Sequence, residues 1–355
     1  MTAATLDHGT QAGLSTRRLS RWTLLGLFVL DILVTLGLFA ITPMQGRADF
    51  GVVVLVLYLV AQTVLSVAVE GRRKAVDRFV VAFVAGSFVI AVLPLISILV
   101  YTISHGVHRF DGTFFTHSMR NVGPNDPGGG AYHAIVGTIE QLVLTTIIAV
   151  PIGLLVAIYL TEYARGRFGK FLSFFVDVMT GIPSIVAGLF IYALWIQTLK
   201  FGYSGFAGSL ALVVIMLPTV IRSSEEMLKL VPPSLREAGY ALGMTKSKTV
   251  LRIVLPTALP GIVTGVMLAM SRIAGETAPL LLTLFGIDQI NNNPFRGPQE
   301  SLPLYIFNEI SRPSPQAYDR AWTAALTLII IVMAFNLLAR VFVRFASRNR
   351  GSARA

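Results

Sequence analysis

The sequence contains no cysteine, which excludes disulfides and thiolate metal sites. Charge is also scarce: 13% of residues are Asp, Glu, Lys or Arg, against about 25% in a soluble domain. No G-x-x-x-x-G-K-[ST] phosphate loop occurs. The nearest string, Gly166 to Lys170, has the wrong spacing and runs on into Phe171, so the chain has no means of cradling ATP itself. Nor do a nucleophile, a base and a third group stand at a spacing that suits an enzyme. Inverted repeats and a self-contained coupling site, which an ion-driven secondary transporter would want, are not evident.

What is abundant is apolar: 54% of residues. They lie in runs long enough to cross roughly 30 Å of hydrocarbon as helices, and their continuity speaks against a membrane barrel, whose strands alternate. Eight spans are expected, at 22–42, 50–69, 79–104, 135–161, 171–199, 205–221, 257–286 and 321–345. The expected fold is therefore an all-α integral membrane helical bundle. The net charge of +11 lies between these runs, where it reports topology and not nucleic acid binding. With a cytoplasmic N-terminus, 21 of the 29 basic residues fall on the inside and seven outside, with Arg272 left within a span. Both termini are thus expected in the cytoplasm. The first run is long and contains Asp31, unlike a cleaved signal peptide.

The longest inner connection, 222–256, carries "EAGYALGMTKSKTVLRIVLP" from Glu237 to Pro256. Ser234 and Glu237 have capping-box spacing, Pro232 and Pro233 suit an entry turn, Gly243 fits a helix C-cap, and Thr245 can cap a second helix. Spacing alone leaves this open as an ordinary helical hairpin. Glu237-Ala238-Gly239, Gly243, Ile253, Leu255 and Pro256 resemble the EAA loop of ABC importer permeases, with Gly239 where the general pattern has alanine. "GIPSIVAGLF" (Gly181 to Phe190) and "RIAGETAPLL" (Arg272 to Leu281) are similar to the phosphate-specific, PstA-type members of that family, and the order of all three segments agrees.

The resemblance implies a type I ABC importer permease core over 79–345, preceded by a two-helix extension (1–78) and followed by a cytoplasmic tail (346–355), in a bacterial plasma (inner) membrane. It implies that the loop docks on a separate ATPase through Leu235, Arg236, Glu237, Ala238, Gly239, Leu242 and Gly243. The chain itself would bind no cofactor; ATP and Mg would be used by the partner. The implied partners are a second permease subunit (PstC-like), two copies of an ATPase subunit (PstB-like), an external phosphate-binding protein (PstS-like) and membrane lipid. Sulfate and molybdate importers are the alternative readings.

Arg272 and Glu276, spaced i, i+4, are expected on one helix face, as an ion pair locking the bundle or as an anion path in which a guanidinium fork grips phosphate. Arg222 ends the sixth span, with Glu226 four residues on as its expected partner. It reads as a positive-inside flank; the resemblance implies a transport role. Pro183 frees a carbonyl in the fifth span beside the Ser184 hydroxyl, and Gly181 and Gly188 allow close helix approach. The glycine-rich "PNDPGGG" is expected to be flexible. His105, His108, His117 and His133 share its segment, and metal binding would need their ligands to converge. "SLPLYIFNEI" (Ser301 to Ile310) is expected on the membrane surface.

Overall fold

The computed structural model describes residues 19–41, 46–164 and 166–351. Arg17, Arg18 and Arg165 of the expected inner flanks and residues 352–355 of the expected tail lie outside the described residues. The structure is helical throughout: α1 (Arg21–Ile41), α2 (Arg47–Glu70), α3 (Arg72–Gly106), α4 (Gly112–Thr116), α5 (Tyr132–Ile158), α6 (Arg167–Thr180), α7 (Ser184–Ile191), α8 (Gly205–Lys229), α9 (Pro233–Ala241), α10 (Lys246–Thr249), α11 (Leu255–Ile273), α12 (Ala278–Thr283), α13 (Leu302–Ile310) and α14 (Pro315–Gly351). Wide π-helical turns extend α5 through Tyr163 and α7 through Thr198, and join α10 to α11.

Among the described residues, seven helices are long and apolar enough to cross a membrane, and an eighth crossing exists only as a bent pair. That pair corrects the expected span 171–199: α6 and the helix begun at Ser184 meet at 105°. The cause is local. A residue before proline is driven out of the α region, and Pro183 itself is extended, with ψ 138°. The expected span 257–286 is corrected too. Its helix runs without interruption from Lys246 to Ile273, then stops. Gly275 weakens the helix, and Pro279 suits the first turn of the next one, α12.

The chain packs as two units, one up to Val100 and one from Tyr101. In the first, α1 lies on α2 through edge-to-face pairs Phe28–Tyr58 (5.5 Å) and Phe39–Phe50 (5.4 Å). Gly71, at φ 85°, turns the chain from α2 into α3. In the second unit the core is built where Leu142 and Ala149 of α5, Leu212, Met216 and Val220 of α8, and Ala269 and Ile273 of α11 meet. Small residues set the spacing, as expected where lipid supplies no hydrophobic drive between helices. A Cβ on Gly153 would come within 2.7 Å of Val220 Cγ1.

Two outer segments depart from expectation, and one buried cation joins them. Arg320 is fully buried; it donates to Glu309 (2.6 Å) and to the carbonyls of Pro124 (3.1 Å), Asp126 (2.9 Å) and Gly128 (3.3 Å). It thereby pins "PNDPGGG" instead of leaving it flexible. α13, expected to lie on the membrane surface, instead buries Leu302, Leu304, Tyr305 and Glu309. The four histidines do not converge. His133 is buried in α5 against the Tyr305 ring, His105 stacks on Tyr101, His108 faces Asp319 at 3.7 Å, and His117 meets Thr116.

Candidate translocation cleft and coupling hairpin

The two helix breaks come together. α7 and α12, the short helices that follow them, pack so closely that a Cβ on Gly188 would be 2.6 Å from Pro279 Cα. Gly188 thus makes the close approach expected of it, whereas Gly181 would meet only its own helix. A narrow crevice of about 10 Å³, closed to anything larger than a water in this conformation, lies beside the breaks, lined by Thr180 and Ile182 at the first, by Val214, Pro218 and Thr219 along the middle of α8, and by Arg272.

Arg272 occupies the last turn of α11, where the carbonyl end of the helix favours a cation. Its side chain is exposed, and among the described residues it makes no ion pair. The expected Arg272–Glu276 helix-face pair is therefore corrected. The helix ends at Ile273, and Glu276 sits in the turn beyond it, its N–H donating to the Ile273 carbonyl at 3.1 Å. Ser184 opens α7 but does not line the cleft.

Arg222 lies one helical turn along α8 from Pro218, about 5.4 Å along the axis. It is fully engaged. One nitrogen donates to Glu225 at 2.6 Å; the other reaches across to α6, to the Ser173 carbonyl and hydroxyl, both at 3.0 Å, and to Asp177. The expected Glu226 partner is replaced by Glu225. The i, i+3 alternative was visible in sequence, whereas Asp177 is brought there only by the packing of α6 on α8. The cleft thus holds a free guanidinium at Arg272, whereas Arg222, one turn along α8 from Pro218, is held by carboxylates and does not line it.

The polar hairpin is α9 and the start of α10. α9 begins at Pro233 with Pro232 as its N-cap and no capping side chain, so the expected Ser234–Glu237 box is absent: Ser234 already lies inside the helix. The turn follows the expected scheme. Gly243 has φ 72°, the Gly243 N–H donates to Tyr240 O at 2.9 Å and the Met244 N–H to Gly239 O at 3.1 Å, which together form a Schellman cap. Thr245 occupies the next N-cap in extended geometry, without a side-chain bond.

Gly239 is buried against the following helix. A Cβ there would lie 2.9 Å from Ile253 Cδ1 and 3.0 Å from Thr249 Cγ2, a physical reason for glycine at this place. Leu235, Glu237, Ala238 and Leu242 face outward, with Leu242 81% exposed. Arg236 does not belong with them. It turns inward to Glu162 at 2.9 Å and 3.1 Å and to the Leu228 carbonyl at 2.9 Å, tying the hairpin to the ends of α5 and α8.

A family profile described as "Binding-protein-dependent transport system inner membrane component" matches residues 149–351. A curated relative from Mycobacterium tuberculosis, "Phosphate transport system permease protein PstA 1", is 47% identical over 280 residues, covering 79% of this chain and 92% of the relative. "Phosphate transport system permease protein PstA" of Mycobacterium leprae is 48% identical, covering 78% and 92%. Among solved structures, a bacterial ABC transporter involved in import of the acidic polysaccharide alginate matches with TM-score 0.54 at 14% identity, over 76% of this chain and 96% of that one. That likeness concerns the fold alone.

Proposed function

The chain belongs to the binding-protein-dependent transport system inner membrane components, and from that membership we propose that it is the permease subunit through which an ATP-driven importer moves inorganic phosphate into the cytoplasm. The observation that carries the reading is Arg272, an unpaired guanidinium facing a cleft level with the middle of α8. A buried or membrane-depth cation without a carboxylate is costly unless an anion or water meets it, and the planar fork matches phosphate oxygens. The relatives named as phosphate permeases support that choice of anion over sulfate or molybdate.

A separate ATPase supplies ATP and Mg, docking on the outward face of the hairpin formed by Leu235, Glu237, Ala238 and Leu242. Gly243 and Gly239 shape that hairpin and Arg236 anchors it. A second permease subunit closes the cleft, and an external phosphate-binding protein delivers the solute. The termini and the hairpin face the cytoplasm of a bacterial plasma membrane, in keeping with the distribution of Lys and Arg.

Phosphate uptake by Arg272→Ala, with subunit level checked by blotting, tests this. Because no carboxylate is orphaned, the subunit should accumulate normally while uptake falls about ten- to a hundredfold, the loss of one charged hydrogen bond. Arg272→Lys should recover only part. Normal uptake by Arg272→Ala at normal subunit level, or uptake competed by sulfate as well as by phosphate, would overturn the proposal.

A further inference from the structure

The N-terminal unit holds a cavity that the transport cleft does not use. Between α2 and α3, with α1 at its edge, a groove of about 880 Å³ is walled mostly by apolar side chains such as Phe28, Val54, Val81 and Leu93. This volume lies at the upper end of ordinary small-molecule sites, roughly 300–1,000 Å³. The charged residues of the groove lie at one end, where α2 turns into α3 and Glu70, Lys74, Asp77 and Arg78 line it, while Tyr58 and Gln62 are the uncharged polar groups farther along α2.

The Lys74 ammonium is buried and, among the described residues, has no hydrogen-bond partner. Its acidic neighbours do not satisfy it. Glu70 is occupied by Arg78 at 2.6 Å, by the Ser66 hydroxyl at 3.0 Å and by the Leu19 N–H at 2.8 Å. Asp77 lines the same end but forms no ion pair with it. A buried cation left without an anion is unstable, and Arg72 and Arg73 add positive charge beside it.

We propose that this groove binds an anionic phospholipid, with its phosphate on Lys74 and an acyl chain between α2 and α3. The match is of two kinds at once: an apolar slot running along membrane-spanning helices, and an unpaired cation where those helices reach the membrane surface. Basic pockets between spanning helices take anionic headgroups in this way, while the lysine stem lies along the apolar wall. A water-soluble anion would satisfy Lys74 but leave the slot empty; a zwitterionic lipid would fill the slot but bring its own cation to Lys74. The proposal stands apart from the identity of the transported solute.

The test uses the full chain reconstituted in nanodiscs that contain a trace of photoreactive phosphatidylglycerol or, in parallel, photoreactive phosphatidylcholine. Crosslinks are mapped by peptide mass spectrometry. Phosphatidylglycerol should label α2 and α3 at the groove in preference to phosphatidylcholine. Lys74→Gln should cut that labelling about fivefold, the weight of one basic residue near a membrane surface. Val81→Trp, which narrows the slot without touching the headgroup end, should cut labelling by both lipids. Equal labelling by the two lipids, or labelling unchanged in Lys74→Gln, would overturn the proposal. So would a crosslink between cysteines placed at Ser15 and Ala82, which the absence of native cysteine makes specific, because the chain's own N-terminal segment would then fill the groove.

Discussion

Replacing Arg236 with alanine should loosen the coupling hairpin without altering its outward face. The side chain is 18% exposed and Glu162 only 6%, so its removal leaves a carboxylate in a poorly solvated site and takes a donor from the Leu228 and Val231 carbonyls. Breaking a buried pair from one side costs about 3–5 kcal/mol. If that energy holds the hairpin to the ends of α5 and α8, local opening should become roughly a hundred- to a few-thousandfold more frequent. Hydrogen exchange of the amides from Leu235 to Val250, followed in the reconstituted full chain, reads this directly. Removing both charges, with Arg236→Met and Glu162→Leu, should restore much of the protection, because no group is then orphaned. In the assembled transporter, Arg236→Ala should lower solute-stimulated ATP hydrolysis if the proposed docking on this hairpin holds, since its outward face remains intact. Exchange in the single variant within about twofold of the parent, smaller than one ordinary hydrogen bond, or a double variant no better protected than the single one, would refute the reasoning.

Two further outcomes follow from the hairpin and from the outer loop. Gly239→Ala gains about 1 kcal/mol of helix propensity but pushes on the Ile253 methyl and on Thr249, so thermal unfolding should change little, whereas Gly239→Leu should destabilise by about 1–3 kcal/mol through overpacking. A larger loss for alanine than for leucine would contradict the packing account. Glu300, outside the spanning helices, has its carboxyl pushed up to about 8, chiefly by burial and secondarily by Asp288. The folded chain therefore holds a proton that the unfolded chain releases near the ordinary carboxylate value. Stability should be greatest below that value and decline as pH rises through about 8, and Glu300→Gln should flatten the decline. An unchanged pH slope in that variant would remove Glu300 as its source.

The spans were legible because continuous hydrophobicity over some twenty residues has few other uses. The Gly243 turn was legible because a positive φ narrows the choice of residue. The capping box failed for a local reason: Pro232 and Pro233 move the helix start upstream of Ser234, and a hydroxyl inside the first turn cannot serve as the cap. Arg236 was placed on the outward face of the loop, and Arg320 was only one of the seven outer basic residues, for a different reason. Positive charges in connecting segments look alike in sequence, whether they face water, a partner or a buried carboxylate. Only the approach of Glu162 to one and of Glu309 to the other distinguishes them, and those contacts span 74 and 11 residues.

The largest change concerns Arg272 and Glu276, whose i, i+4 spacing counted as a shared face only while the helix was taken to continue. Its end at Ile273 separates them, and that end has a cost of its own, because irregular backbone at membrane depth needs partners other than lipid. The protein meets this cost by setting its two breaks side by side. The chain after Pro183 and the chain after Thr277 pack on each other at Gly188 and Pro279, and Pro218 brings a third interruption of the backbone ladder to the same cleft. Irregular backbone at this depth is tolerated where it is buried in protein or lines a water-filled cavity. The breaks and the unpaired arginine therefore describe one polar cleft, and the helix-breaking residues of "GIPSIVAGLF" and "RIAGETAPLL" are the sequence record of its two walls.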